Sequence, residues 1–562
     1  MTPRGSARTM WAAGAAVASV MALAAMVSLI GCGAPRAPAV STPATDPARG
    51  TVRSAAPTAT SAAARQKLLA GAVAVLDRFD DFDEARGAEL VFDRLAQWSR
   101  VAAAPAGDSW RPDPLLDTLP ERLRAAAPEP LDAVGFAATP DVTFLRDERW
   151  LADIARVARG DAVDDVAIAT NLFQWTVRSL ALVSDPPLVP SETNPGNRWF
   201  LPGEILLAGR ASAPQRAWVF LELLRHAGLT GVMLATGDAA GGDVRPWVPA
   251  VVSDGEAYLF EPAYGMPIAG PEGRGVATVT EAAREPAILE ALSLPDRPYR
   301  VQAADMQRLS VLVAADAWTA SRRMAILDAD LRSAREMRIA VDATAMADAA
   351  RTALPEAARE RPAGVWEFPW ETVARRRAAS DVVAAAAMRE LAPLQIALVP
   401  SDGAGAGRPM RPLYAARLRE FRGELDGPTG AKAAYLAARP GRDVIAAAVR
   451  GLPLEQADSA RRLYGQMKED AAYWLGVLTL GEGEYEAAID YLRRMTLEAA
   501  PDSRWADAAQ VNLAQAYLGL GKTTEAVAAL RADRSPQRFG SRLLADRLEE
   551  RGPVTPRGPV TP

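Results

Sequence analysis

The sequence has 562 residues, a net charge of −5 at pH 7, and only one cysteine and one histidine. Its length is enough for about three or four domains, and a charge this close to neutral gives none of the basic surface that nucleic-acid binding needs. One cysteine and one histidine exclude an internal disulfide framework, a four-ligand structural zinc site and a His-rich catalytic metal site. We therefore expect no nucleic-acid partner, no metal and no cofactor.

The N-terminus is typical of a secretory signal. Arg4 and Arg8 precede an uncharged, apolar run at 11–30, which is also long enough for an uncleaved membrane anchor with an incidental cysteine. The run ends in Leu-Ile-Gly followed by Cys32, which resembles a bacterial lipobox. The resemblance implies cleavage before Cys32 and acylation of its thiol and of the new amino terminus. Two or three acyl chains make a stable membrane anchor.

The residues after the cysteine bear on location. Gly33 stands where an aspartate would retain some bacterial lipoproteins at the inner membrane, so the resemblance favours the outer membrane of a bacterial cell envelope, with the chain facing the periplasm. The following residues, up to position 64, are rich in Pro, Ala, Thr and Ser. They contain too few large apolar side chains to fold, and this composition predicts an extended tether.

The remaining chain is predicted to be mainly α-helical. Residues 65–182 and 301–465 place apolar side chains at helical spacings. Residues 183–300 differ because strand-like runs, including a hairpin around Asp254 and Gly255, predict a small α+β domain. We therefore expect a multidomain, mainly α protein.

Three blocks within 211–265 resemble a bacterial transglutaminase-like domain, a papain-related fold whose members use a Cys-His-Asp triad. The blocks are the helical segment 215–229, the pair Trp247-Val248 and the strand-like segment 258–265. In the family's order they correspond to the helix after the nucleophile, the strand that opens with the histidine, and the strand that ends at the acid.

The three residues of this triad are absent from the corresponding positions of this sequence. Its three positions hold Ala213, Arg245 and Glu261. A methyl group cannot attack a carbonyl group, and a guanidinium stays protonated and cannot act as a general base. The resemblance therefore implies a domain that is not an enzyme. Its vestigial cleft either is closed by an ion pair between Arg245 and Glu261 or holds an extended peptide or acidic group, with Arg245 as anchor and Trp247 as wall.

Two residues near these positions are candidates to replace the missing nucleophile and base. Ser212 adjoins the nucleophile position but needs a base, and the only imidazole is His226. His226 lies about 20 Å further along the predicted helix. We expect it there as a C-terminal residue that interacts favourably with the helix dipole, and predict no catalytic residue.

Two C-terminal stretches align with an offset of 38 residues, from Trp474 to Asn512. They resemble tetratricopeptide repeats, whose period is about 34 residues. Small residues stand where paired helices would touch, at Gly476, Ala488, Ala514 and Ala526. Because about three repeats are needed for a free-standing stack, we expect divergent helical pairs at 428–449 and 454–469. Such stacks form concave surfaces that hold peptides or partner helices.

These features predict a membrane-anchored envelope lipoprotein that binds or scaffolds other proteins without catalysis. Two alternatives remain: an envelope hydrolase or amidase that uses an unrecognised carboxylate pair, and a purely structural spacer. The sequence indicates no oligomeric state. The predicted segments are a signal peptide (1–31), the tether (32–64), a helical region (65–182), the transglutaminase-like domain (183–300), a second helical region (301–465), the repeats (466–548) and a disordered tail (549–562).

Overall fold

A computed structural model describes residues 59–101, 110–185, 199–237, 244–335, 337–398 and 409–551. Of these residues, 61% are helical and 9% lie in strands, which confirms a mainly α protein with a small sheet. The predicted signal peptide, Cys32 and most of the tether and tail lie outside the described residues. Within the ranges above, no helix is both long and apolar enough to cross a bilayer.

The helices up to residue 227 include one that is buried along most of its length. The helices in order are Ala59–Leu76, Glu84–Val101, Glu121–Arg124, Pro140–Ala158, Asp165–Ser179, Pro202–Ala208 and Ala213–Ala227. The last, the core helix, begins after the N-cap Ser212 and ends at Gly228, whose φ of 85° is left-handed. Glycine adopts this conformation without a Cβ clash, so it stops the helix. The core helix buries every side chain from Gln215 to His226.

Two sheets accompany the core helix. Strands β1 (Ala181–Leu182) and β2 (Arg210–Ala211) form a short parallel pair. The larger sheet contains β3 (Thr230–Thr236), β4 (Arg245–Ser253), β5 (Glu256–Glu261), β6 (Met266–Pro267), β7 (Leu309–Val313) and β8 (Gly364–Val365) in the spatial order β6-β5-β4-β3-β7-β8. Its strand pairs are antiparallel except for the parallel pair β7–β8.

The predicted hairpin is confirmed as β4–β5. Asp254 and Gly255 both have positive φ, 49° and 78°, which is the mirror-image turn that suits a two-residue hairpin. The sheet is covered on both faces, because Met233 and Phe260 pack in one hydrophobic core with the core helix while Leu234 packs in a second core. Successive side chains of a strand point to opposite faces, so the strands are apolar on both sides.

The sheet extends beyond residue 300, where the sequence placed the end of the α+β domain. β7 and β8 lie in the 301–465 region, and the expectation that this region is wholly helical is wrong there. The other elements between β6 and the C-terminal stack are helices: Val279–Arg284, Ala287–Glu290, Arg322–Arg335, Ala343–Thr352, Glu356–Arg359, Glu367–Ala378, Asp381–Leu391, Pro412–Arg422, Ala431–Ala437 and Arg442–Ala448.

The C-terminal helices pack against one another in succession. They are Leu454–Gly481, Tyr485–Ile489 with its π-helical continuation Asp490–Glu498, Ala506–Gly519, Thr523–Ala532 and Arg538–Arg551. One uninterrupted helix covers Leu454–Gly481, so the expected boundary at 465/466 falls inside a helix and the expected separate helix at 454–469 is corrected. The other segment in which a divergent helical pair is expected, 428–449, forms two short helices.

These C-terminal helices share one hydrophobic core with the core helix. Trp218 of the core helix lies in the same buried cluster as Trp474 and Trp505. Gly209 makes the approach possible, because a Cβ there would overlap the Trp474 ring, and its φ of 62° favours glycine. The C-terminal helices are therefore joined to the sheet-containing part of the molecule by a continuous core.

Two glycines of the helix Leu454–Gly481 test this packing. A Cβ at Gly476 would lie 2.7 Å from Leu492 Cγ, whereas a Cβ at Gly465 would meet nothing within 4 Å. We expect Gly465→Ala to raise the free energy of unfolding by up to about 1 kcal/mol, because alanine favours helix. Gly476→Ala should lower it by about 1–3 kcal/mol through overpacking. Urea unfolding of both variants checks this, and equal effects would contradict the packing.

Candidate functional site

The N-terminus of the core helix lies beside the end of β5. Arg216, one turn after Ala213, donates from Nη1 to the carbonyl oxygen of Pro262 at 3.2 Å, and Pro262 directly follows Glu261. Ala213 itself is half-buried. The structure thus brings together the chain segments that carry two of the three positions singled out by the family resemblance.

Glu261 is held by a hydroxyl group and a backbone amide. Its Oε2 accepts a hydrogen bond from the Tyr299 hydroxyl, and its Oε1 accepts one from the Ala263 N–H at 3.0 Å. Trp247 Nε1 donates to the same Tyr299 oxygen at 2.8 Å. Burial raises the pKa of Glu261. The side chains of Trp247 and Glu261 are therefore linked through Tyr299, a residue that the sequence analysis missed.

Arg245 does not join this group. It is exposed at the start of β4, and the ion pair considered for Arg245 and Glu261 is not formed; Tyr299 and Ala263 supply the hydrogen bonds to the carboxylate instead. Trp247 is only 6% exposed. The expectation that Arg245 anchors a ligand beside an open cleft wall at Trp247 is therefore wrong.

His226 lies in a buried cluster at the other end of the core helix. Its Nε2 is 2.9 Å from Glu148 Oε2, and its Nδ1 accepts from the Arg338 N–H at 3.4 Å. Burial, together with the neighbouring Arg225 guanidinium, lowers the pKa of His226 well below its usual range. The imidazole is neutral at pH 7, so the expected charge interaction of His226 with the helix dipole is wrong.

The same cluster contains Asp316, a carboxyl group whose pKa is raised. Asp316 Oδ1 accepts hydrogen bonds from the N–H groups of Trp318 and Thr319, at 2.9 and 2.8 Å. Burial, followed by repulsion from Glu222 and Glu148, raises the pKa of Asp316 to about 7. Near neutral pH this carboxyl group therefore still holds a proton in much of the folded protein.

A pH series tests the cluster. Between about pH 4 and pH 7 the folded state retains the Asp316 proton, which the unfolded chain has released because its pKa is 3.8. Stability is therefore expected to fall as pH rises through this window. Asp316→Asn should flatten the fall in the free energy of unfolding between pH 5 and pH 8, by on the order of a few kcal/mol. Asp458→Asn, at a half-exposed residue paired with Arg461, should not. Parallel pH curves for wild type and Asp316→Asn would contradict the assignment.

A cavity of about 250 Å³ lies at the N-terminal end of the core helix, between the sheet-containing part and the C-terminal helices. The lining has an apolar part that includes Val177, Leu182 and Val511. The polar side chains of the lining are those of Ser184, Arg210, Arg216, Tyr473, Arg504, Asp507, Asn512, Ser535 and Gln537. Residues more than 250 positions apart in sequence, such as Arg216 and Tyr473, thus meet in one site because the C-terminal helices pack onto the core helix.

Arg216 gives this cavity a positive wall. It is 2% exposed, and its N–H groups donate to the carbonyl oxygens of Val177, Leu180 and Pro262 and to Gln537 Oε1 at 2.5–3.4 Å. No carboxylate of the described chain forms an ion pair with it. Burial lowers the pKa of Arg216 to about 9, so the group remains charged at pH 7.

The remaining polar lining offers hydrogen bonds without an activated nucleophile. Asn512 Nδ2 donates to Tyr473 Oη and to the Arg178 carbonyl oxygen, both at 3.1 Å, while Asn512 Oδ1 is buried and has no hydrogen-bond partner among the described residues. No imidazole or thiol is present among the lining residues. Ser212 is fully buried as the N-cap and does not line the cavity. The lining therefore offers hydrogen-bonding groups beside one buried positive charge.

Comparisons with known proteins add no family assignment. No protein-family model, no curated protein and no solved structure matches the chain. In the described part of the chain, no group of three or more His, Cys, Asp or Glu side chains is placed to hold a metal ion.

Proposed function

We propose that this protein is a lipid-anchored, non-catalytic binding module of the bacterial cell envelope, which holds a peptide segment of a partner protein in the cavity beside the core helix. The observation that carries the proposal is the cavity itself: about 250 Å³, lined by a charged and buried Arg216, and without an imidazole or thiol among its lining residues. A positive wall, an unpartnered Asn512 oxygen and an apolar side together suit a polar peptide segment.

The family resemblances support this function. The order of core helix, β3, and the β4–β5 hairpin follows the order of the transglutaminase-like blocks, and the position of the nucleophile is Ala213. The C-terminal helices carry the tetratricopeptide-like pattern, with Ala488, Ala514 and Ala526 fully buried. In this proposal the degenerate domain and the repeats act as one unit, because residues of both line the cavity.

Affinity capture tests the binding function. The full-length protein is crosslinked in its own membrane, purified and compared with Ala508→Phe, which places a large side chain on the cavity wall, and with Val163→Phe at a site that is 89% exposed. We expect a partner with wild type and Val163→Phe and its loss with Ala508→Phe. Capture that is equal in all three would contradict the cavity as the binding site, and the absence of any partner would favour the structural spacer.

The hydrolase alternative has its own test. Full-length protein is assayed for peptidase, amidase and acyl-transfer activity, and any activity is re-measured in Glu261→Gln. We expect none above background. An activity that Glu261→Gln abolishes would overturn the non-catalytic proposal.

A further inference from the structure

A second pocket lies between the helix Asp165–Ser179 and the C-terminal helices; we call it the seam pocket. It is open to solvent, has a volume of about 420 Å³ and is lined by Arg178, Leu480–Gly483, Tyr485 and Gln515. Gln515 is one helical turn after Asn512, which lines the first cavity. The two pockets therefore lie along the same helix, Ala506–Gly519, and both form where the repeats meet the rest of the molecule.

Arg178 is the exceptional residue of the seam pocket. Its side chain is largely buried, yet in the described ranges its guanidinium forms no hydrogen bond and no ion pair; its one favourable electrostatic interaction is with Glu420. Burial lowers the pKa of Arg178. Buried charges are normally paired, and a guanidinium carries five N–H donors. Arg216 and Arg417, also buried at this interface, each have acceptors for their guanidinium groups.

The surface around Arg178 leaves it accessible to a ligand. A Cβ added at Gly481 would lie 3.3 Å from Arg178 Nη2, so the glycine leaves the guanidinium uncovered on that side. Leu480 and Tyr485 add apolar surface, and Gln515 adds an amide. A ligand group that reaches Arg178 can therefore place an apolar neighbour against Leu480 or Tyr485.

The charged side chains around the seam pocket affect which kind of anion it can bind. Glu482 lines the same pocket and is held by Lys432 at 3.0 Å, and Lys432 also contacts Asp426 and Glu484. Three carboxylates around one ammonium leave this side of the pocket acidic, which repels a dianion about twice as strongly as a single carboxylate. A single carboxylate matches one guanidinium in charge and in planar geometry, because it can accept two parallel N–H bonds.

We propose that the seam pocket binds the carboxylate of a peptide through Arg178. The proposal rests on the proposed binding function and deepens it, because it names the chemical group that is recognised and a second point of contact. The carboxylate belongs either to the C-terminus of the peptide or to an acidic side chain within it.

The test uses full-length protein in detergent and three sets of fluorescent hexapeptides with otherwise randomised, non-acidic sequences. One set ends in a free carboxylate, one is C-terminally amidated with one internal glutamate, and one is amidated with no acid. We expect binding, by fluorescence anisotropy, of the first set, the second set or both, and at least about tenfold weaker binding of the third. Which of the first two sets binds identifies the source of the carboxylate. Equal binding of all three sets, or of none, would overturn the proposal.

Three variants place the carboxylate at Arg178. Arg178→Gln should weaken binding of the carboxylate peptides at least about tenfold, and Gly481→Ala, which keeps the charge but crowds the guanidinium, should weaken it less. Arg494→Gln removes an arginine that is 65% exposed and paired with Asp490, and should leave binding unchanged. Equal affinity of wild type and Arg178→Gln for these peptides would overturn the assignment.

Thermal unfolding without peptide separates this role from a structural one. Arg178→Gln removes a buried charge that has no hydrogen bond or ion pair in the described part of the chain, so its Tm should equal or exceed that of wild type. A lowered Tm would show that Arg178 is a structural contact and would overturn the proposal. The two proposals can be tested separately. If Arg178→Gln still captures the partner from the membrane, the proposed binding function is retained. If wild type captures no partner, the proposed binding function is overturned.

Discussion

Arg216→Ala is expected to lower the free energy of unfolding by about 3 kcal/mol or more. The substitution leaves the carbonyl oxygens of Val177, Leu180 and Pro262 without their donor in a buried site. Each buried acceptor that loses its partner costs about 1–3 kcal/mol, and the lost side-chain volume adds a cavity term. Relief from burying an unpaired charge offsets part of this cost, which is why we do not expect the full sum.

The measurement is urea unfolding of full-length protein, followed by tryptophan fluorescence. Arg494→Ala is the matched control: it removes the exposed pair with Asp490 and should change stability by less than about 0.5 kcal/mol. Arg216→Met, which keeps the volume but not the donors, should fall between the two. If Arg216→Ala were as stable as Arg494→Ala, Arg216 would not tie the helix Asp165–Ser179, the end of β5 and the C-terminal helices together.

Cys32→Ser is expected to abolish lipid attachment completely. A hydroxyl group cannot replace the thiol that the lipobox resemblance assigns to acylation, and cleavage before residue 32 depends on that modified cysteine. Metabolic labelling with a radioactive fatty acid should give no signal from the variant, and the protein should accumulate as a larger, unprocessed precursor.

A substitution at the next position provides the control for this labelling experiment. Gly33→Ala leaves Cys32 in place and should be labelled and processed like wild type. Fatty-acid label that persists in Cys32→Ser would remove the lipoprotein assignment and favour a plain signal anchor.

The local parts of the fold could be predicted from the sequence. The β4–β5 hairpin is encoded by Asp254 and Gly255, which can adopt the two positive φ angles of its turn. The end of the core helix is encoded by Gly228 in the same way. By contrast, β7 is a run of five residues between helical patterns, and its strand character depends on pairing with β3, about 75 residues earlier in the chain.

The chemistry of the site could not be predicted from spacing. Arg216 on a helix is usually a solvent-facing residue, and its partner Gln537 lies 321 residues away. The sequence predicts that His226 interacts with the helix dipole. The contact with Glu148, 78 residues earlier, and the burial of the imidazole leave no local pattern in the sequence. The 38-residue offset predicts a repeat boundary at 465/466, but the helix Leu454–Gly481 continues through this position without a break.

Site-specific photo-crosslinking tests the central claim, that the cavity beside the core helix holds a partner. A benzophenone amino acid is placed at Ser184, an exposed residue that lines the cavity, and separately at Val163, which is 89% exposed. After irradiation of intact cells, we predict a defined protein adduct from position 184 that is absent from position 163. No adduct at 184, or the same adducts from both positions, would contradict the claim.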